Sequence, residues 1–201
     1  TTQANAALAP ETLKGLEVGA EFAPLSTMRL SATLFDNRLE DAIANVTIAP
    51  NLRQRRNVEA IAARGLELAG ALSLGRVDLS GSWAWTRSRV RAPGTALDGL
   101  RPAQTPSHLV SATLGWRWAE ESLVSATLRH VGAQYEDDLQ TDLLPAATTV
   151  DLFARAQIAP GVALVARAEN LFEETVVTRN AGGSIDLGTP RILWLGLRLE
   201  R

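Results

Sequence analysis

The last strand-like stretch of the chain, Ile192–Leu199, puts Leu193, Leu195, Leu197 and Leu199 on one side and Trp194, Gly196 and Arg198 on the other. A repeat of two is the mark of a pleated strand with one apolar face. The stretch before it behaves alike: Val162, Leu164, Ala166 and Ala168 alternate with Ala163, Val165, Arg167 and Glu169. A polar, Gly-rich segment joins the two. A closing strand with an unbroken leucine face must meet something apolar, either a protein interior or lipid.

The pattern runs through the whole chain as nine segments. Their apolar faces read Leu16, Val18, Ala20, Phe22; then Met28, Leu30, Ala32, Leu34; then Leu66, Leu68, Gly70, Leu72. Val77, Leu79, Gly81, Trp83, Trp85 follow, then Val110, Ala112, Leu114, Trp116, Trp118, then Val124, Ala126, Leu128, and then Val150, Leu152, Ala154, Ala156, Ile158. The two closing stretches complete the set. The charges Glu17, Glu21, Arg29, Glu67, Asp78, Arg117, Arg129, Asp151, Arg155, Arg167, Glu169 and Arg198 all fall in the other phase.

The connections alternate too. Ala23–Ser26, Ser73–Arg76, Ala119–Ser122 and Ala159–Gly161 are short, whereas Phe35–Gly65, Arg89–His108, Tyr135–Thr149 and Leu171–Arg191 are long, the first with some strand of its own. Outer-membrane barrels segregate short turns to one end and long loops to the other. The segment lengths suit a tilted membrane strand of about 9 to 11 residues. Trp85 ends one upward-running apolar face, and Phe22 and Trp118 end downward ones, where an interfacial aromatic belt belongs. Arg64 and Arg87 continue the apolar phase at the long-loop end, so a membrane reading requires them at the outer rim. His130, on the apolar phase of the sixth segment, must lie near the rim or be neutral. Two readings stay open here, because a soluble barrel with an apolar core shows the same alternation turned inside out. One is an all-β, antiparallel, up-and-down transmembrane barrel segment of about nine strands. The other is a small self-contained barrel, soluble or membrane-bound, that holds an apolar ligand or is structural.

Several short motifs occur in a fixed order. They are Ala9-Pro10-Glu11 ahead of Leu16-Glu17-Val18-Gly19; Phe35-Asp36-Asn37 with Asp41-Ala42-Ile43; and Asn57 ahead of Arg64-Gly65-Leu66-Glu67. Pro102 with Pro106-Ser107-His108, Asn170-Leu171-Phe172-Glu173, and Thr189-Pro190-Arg191 complete them. In this order the set resembles the C-terminal barrel of TonB-dependent outer-membrane receptors. That resemblance implies a 22-stranded barrel, of which residues 1–201 supply an incomplete wall, and an N-terminal plug that is absent from this chain. It implies partners as well: outer-membrane lipid and lipopolysaccharide, the plug, TonB, and a small-molecule substrate, an iron chelate. It implies placement in the outer membrane of a Gram-negative bacterium, crossed many times, and active uptake of a scarce nutrient such as a ferric siderophore. Glu67, Asn170, Leu171, Phe172, Pro190 and Arg191 are the motif residues with an implied structural role. The chain departs from the family at Val176-Val177, where a Tyr usually stands, and at Leu199-Glu200-Arg201, where the family ends in an aromatic residue.

Composition narrows the chemistry. A net charge of −2 lacks the basic footprint of nucleic-acid binding. The absence of cysteine removes disulfides and thiolate metal sites. The longest run without Asp, Glu, Lys or Arg, Pro102–Trp116, is broken by prolines and too short for a membrane helix. TTQANAALAP has neither the basic start nor the apolar stretch of a signal peptide. Glu120-Glu121, Asp137-Asp138 and Glu173-Glu174 read as solvated charge, and His108 and His130 have no ligand at metal spacing. Gly182-Gly183 lacks the context of a phosphate loop, and the Asn45-Val46-Thr47 sequon has no meaning in a bacterial protein. No catalytic set, cofactor or metal site is expected. Substrate contacts, if any, fall on the long loops: Arg53, Arg55 and Arg56, suited to an anionic ferric chelate or a lipopolysaccharide phosphate, with Asp137, Asp138 and Arg179. The inner-face charges Arg117, Arg129, Arg155, Arg167 and Glu169 are expected to pair across strands and to face the plug.

Overall fold

The computed structural model describes residues 1–50 and 52–200. Nine long strands form one antiparallel sheet: β1 (Thr12–Leu25), β2 (Met28–Glu40), β3 (Ala60–Leu74), β4 (Val77–Arg91), β5 (His108–Ala119), β6 (Ser122–Val131), β7 (Ala147–Ala159), β8 (Val162–Glu169) and β9 (Ile192–Leu199). Each strand pairs with its neighbours in sequence, so the sheet is up-and-down, with β1 and β9 as its two edges. All nine expected segments are strands. Most run past the expected bounds at the long-loop end, β2 and β3 by six residues each beyond Leu34 and Leu66.

The register puts like with like. Phe22, Leu30, Gly70, Gly81, Ala112, Leu128 and Val150 are successive cross-strand partners, one apolar row across seven strands. On the other face Ser31, Ala69, Ser82, Ser111, Arg129 and Thr149 form a parallel row. A slip of one residue in any strand would exchange the faces.

The apolar face packs against no protein interior. Leu193, Leu195 and Leu197 are 71%, 76% and 67% exposed, and Leu16, Leu34, Leu79 and Leu114 are also exposed. These side chains are left without protein cover among the described residues. Aromatic side chains bound the face at both ends. Trp85 pairs with His108, which stacks on Trp83 at 6.1 Å between ring centroids. Trp116 and Trp118 lie 6.0 Å apart near the short turns. From Val77 to Trp85 the strand covers roughly 26 Å at ~3.3 Å per residue, on the order of the apolar band of a spanning barrel. His130 sits level with Trp83 through Val110 and shares a 2.8 Å hydrogen bond with Thr148 Oγ1, in keeping with its expected place near the rim.

The inner face carries its own counter-charges. Arg117 meets Asp78 at 2.9 Å, Arg155 meets Glu200 at 3.0 Å, and Arg129 pairs with Asp151. Arg167 is partnered within its own strand by Glu169 at 3.1 Å. The Thr113 and Thr127 hydroxyls, directly opposite, are 3.0 Å apart.

Near the long-loop end the polarity of the sheet inverts. Val18, Leu34, Leu66 and Trp85 form the last apolar outward row. The next outward row is Leu16, Asp36, Arg64 and Arg87, then Lys14, Arg38, Ala62 and Arg89, then Thr12, Glu40, Ala60 and Arg91. On the inner side the row Leu39, Ile61, Val90 is apolar and packs with Ala42, Val58, Ala92 and Leu97 from the loops, the one cluster of buried apolar residues among those described. Gly65 sits at the transition. A Cβ there would lie 2.2 Å from the Trp85 carbonyl oxygen and 2.6 Å from the Phe35 ring, so glycine lets that ring lie over the strand.

Two of the long connections contain hairpins of their own. Ile43–Ala49 pairs with Leu52–Asn57, which also takes Thr2–Gln3 alongside in parallel. Val177–Ala181 pairs with Ser184–Leu187, a hairpin within the polar, Gly-rich segment. The cause is local: Gly182 and Gly183 both have positive φ, 60° and 83°, as a two-residue hairpin turn of type I′ demands.

Candidate functional site

The four long connections do not stand apart. Asp138 accepts hydrogen bonds from the Thr47 amide at 2.8 Å and its hydroxyl at 2.7 Å, fastening the third connection to the first. Gln140 Nε2 donates to the Arg101 carbonyl and Arg101 Nη1 to the Ala133 carbonyl, joining third and second. Asn180 Nδ2 donates to the Leu143 carbonyl, joining fourth and third. The result is one layer across the long-loop end of the wall.

Asp137 is the internal brace of that layer. Its carboxylate accepts from the amides of Leu139, Thr141 and Asp142 at 3.0, 2.8 and 2.6 Å. Burial of the carboxyl pushes its pKa up, but these amides and the Thr141 hydroxyl outweigh that, and it ends below the usual Asp range.

Beside this brace lies a hollow of about 400 Å³ lined by Arg53, Arg179, Glu136, Asp137, Asp142 and the N-terminal Thr1 and Thr2, among others. Three of the six loop residues expected to contact substrate therefore converge: Arg53, Asp137 and Arg179. Two guanidinium groups and three carboxylates suit a polar ligand of mixed charge. Arg179 is held by Asp186 at 3.4 Å across its own hairpin. Arg56 and Asp138 line a second hollow of about 460 Å³, with Val58, Ala92 and Leu97 on its walls. Arg55 faces solvent on the hairpin, its carbonyl accepting from Asn5 Nδ2. Asp137 and Asp138, read from sequence as solvated charge, are 4% and 8% exposed. Glu136, Asp142 and the Thr47–Asp138 clasp had no sequence signal; the two clasp residues stand 91 positions apart. Among the described residues no three of His, Cys, Asp and Glu gather as metal ligands.

The ordered motifs mark where wall and loop layer are fastened together. Glu11 accepts from the Ile43 amide at 2.6 Å, and Asn57 bonds both the amide and the carbonyl of Ala9. Asn170 closes β8 at a positive φ of 47°, a backbone region in which Asn is the best tolerated residue after Gly. Its side chain, buried to 4% exposure, donates to the Glu174 and Thr189 carbonyls and accepts from the Glu174 amide. Leu171 N donates to the Val150 carbonyl, and Arg191 meets Glu173 at 3.1 Å. The Asn170 and Pro190 motifs are thus two sides of one junction. Phe172 is 73% exposed beside it, and Glu67 points from the inner face. The last residue, Arg201, lies outside the described residues, so the non-aromatic terminus gains no structural account.

A family model described as "TonB dependent receptor-like, beta-barrel" matches residues 1–171. The chain is 27% identical over its full length to the metal-pseudopaline receptor CntO of Pseudomonas aeruginosa, covering 29% of that protein. It is 27% identical to the ferrioxamine receptor of Yersinia enterocolitica over 75% of its length, covering 21% of the relative. The chain thus spans less than a third of either one. Among solved structures, the ferric yersiniabactin uptake receptor FyuA of Yersinia pestis superposes with a TM-score of 0.80 at 16% identity, over 94% of this chain and 30% of that one. The siderophore receptor PiuA of Acinetobacter baumannii gives 0.78 at 16% identity, over 93% and 28%.

Proposed function

This chain belongs to the TonB-dependent receptor-like β-barrel family, and on that premise we propose that residues 1–201 are the C-terminal part of the barrel wall of an outer-membrane uptake receptor. The remainder of such a protein supplies the other strands and an N-terminal plug. The open edges at β1 and β9 support this reading, because hydrocarbon cannot satisfy their unpaired amides and carbonyls. The whole receptor sits in the outer membrane of a Gram-negative bacterium, its wall crossing the bilayer many times. It binds a metal chelate of the siderophore class on its outer loops and admits it when TonB displaces the plug. It acts by binding and transport and makes or breaks no covalent bond.

The observation that carries the proposal is the charged hollow at Arg53, Asp137 and Arg179, set in a loop layer above a wall with an apolar outer face. The relatives named for metal-pseudopaline and ferrioxamine direct the choice of ligand class. The test is uptake of radiolabelled iron, offered as a panel of ferric siderophores, by cells whose only route is the whole receptor, with and without TonB. TonB-dependent uptake of at least one chelate is expected, with a raised KM in Arg53→Gln/Arg179→Gln. Uptake of none, or uptake indifferent to TonB, overturns the proposal.

A further inference from the structure

The loop layer holds a second hollow that the uptake proposal does not use. Its volume is about 460 Å³, and Val46, Val58, Ala92, Pro93 and Leu97 supply its apolar walls. The polar side chains around it are already engaged with one another or with the backbone. Arg56 Nε donates to Gln54 Oε1 at 2.7 Å, Glu59 meets Arg38 at 3.4 Å, and the Thr95 hydroxyl donates to the Ala92 carbonyl at 2.7 Å. Asn57 Nδ2 donates to the Ala9 and Asp41 carbonyls, and both Asp138 oxygens accept from Thr47. What this hollow offers a ligand is therefore apolar surface, left open where water wets it. The charged hollow at Arg53 and Arg179 adjoins it. Thr47 and Leu139 line both, so a ligand passing over Leu139 reaches from one into the other.

We propose that the two hollows are the halves of one site and that the chelate taken up is amphiphilic, with its metal-binding head at Arg53 and Arg179 and an alkyl tail against Val46, Val58 and Leu97. The inference rests on the uptake proposal and adds the tail to it. Three observations select an alkyl chain. The second hollow has the volume of a small-ligand subsite, roughly 300 to 1,000 Å³. Among the described residues no aromatic side chain lines either hollow, so neither offers a ring on which an aryl group could stack. Polarity also changes along the pair, from charged beside Arg53 to apolar beside Leu97, a gradient that a uniformly polar chelate does not match. Leu139, 38% exposed at the junction, is placed to receive the chain as it leaves the head. Each methylene moved from water into such a hollow tightens binding by about fourfold.

The test measures binding by the whole receptor in mild detergent, with heat-modifiable gel migration as the check that each variant is a folded barrel. The probes are citrate-centred ferric dihydroxamates, whose free carboxylate suits the two arginines, with one hydroxamate acyl group varied from acetyl through butanoyl and hexanoyl to octanoyl. Kd is read from quenching of tryptophan fluorescence for the parent, for Val46→Thr/Leu139→Gln, which keeps the size of the walls but makes them polar, and for Arg53→Gln/Arg179→Gln. Partition of the tail into detergent is common to all three proteins and cancels in the ratios between them. The parent is expected to bind more tightly with each lengthening of the tail. Val46→Thr/Leu139→Gln is expected to bind the octanoyl chelate about tenfold more weakly than the parent and the acetyl chelate as the parent does. Arg53→Gln/Arg179→Gln is expected to weaken every member of the series by a similar factor. A parent that binds the whole series equally or binds none of it, or a wall variant that loses the acetyl and octanoyl chelates alike, overturns the inference. The uptake proposal survives any of these results if the cells still take up some ferric siderophore in a TonB-dependent way, and the absence of such uptake for every chelate overturns both.

Discussion

The strands β2, β3 and β4 carry two opposite polarities along their length. Up to Leu34, Leu66 and Trp85 they are apolar outside and polar inside; beyond Asp36, Arg64 and Arg87 they are charged outside and, at Leu39, Ile61 and Val90, apolar inside. The hydrogen-bonded ladder runs through the change without a break. What changes is the solvent. On the proposed uptake-receptor reading, hydrocarbon is outside the lower part and the lumen inside it, while the upper part meets water outside and the loop layer on its inner face. The same period-two backbone serves both, because only the residues in each phase need to be exchanged.

The comparison can be broken most directly by moving a charge across the boundary. Leu30→Arg, in the middle apolar row of the outward face, is expected to destabilise the folded receptor in lipid by about 2–4 kcal/mol, read from denaturant unfolding in vesicles. Ala62→Glu, four rows higher and among arginines, is expected to stay within about 0.5 kcal/mol of the parent. Equal costs at the two sites would erase the boundary. Next in size, Val90→Thr puts a hydroxyl into the upper inner cluster, where Val90 is 5% exposed. It should cost roughly 1–3 kcal/mol of loop-layer stability, seen as faster amide exchange in residues 92–100 with the membrane band unchanged. Asn170→Gly keeps the positive φ permissible but removes the side-chain bonds to Glu174 and Thr189. A loss of about 1 kcal/mol is expected at the junction of β8 and β9, read as earlier proteolysis between them.

The smallest effect is a pH dependence confined to the loops. Asp137 has a lowered folded-state pKa, so its stabilising contribution is complete above the unfolded value of ~3.9 and is lost as pH falls through the lower folded value. Amide protection at Leu139, Thr141 and Asp142 should therefore fall only in acid below about pH 4, and Asp137→Asn should flatten that response.

The lower band could be read from sequence because leucines repeat there at every second position and nothing competes with them; all nine strands followed. The upper band was half legible. Arg64 and Arg87 were required at the rim by the cost of charge in lipid, but Ile61 and Val90 sit in the phase assigned to the polar face, and local alternation cannot announce that a loop will cover them. The hairpin at Val177–Leu187 had its signal in Gly182-Gly183, which was weighed only as a phosphate loop. The site itself was the least legible part. Arg53, Asp137 and Arg179 were named one by one, yet their convergence depends on bonds such as Thr47 to Asp138, which no local pattern encodes. The ordered motifs were visible as a string, while their meaning as fasteners emerged only with Asn170 bonded to Thr189 and Glu11 to Ile43.

The clasp between Thr47 and Asp138 also bears on how this surface can drift over generations. Beside Gly94 and Gly183, which positive φ holds to glycine, the exposed tip residues Ala96 and Ser184 are free to vary under pressure from phage or antibodies. Asp138 is not, because any change there leaves an amide and a hydroxyl on a distant segment unanswered. Escape variants should accumulate at the tips, while the clasp changes only when both of its members change together.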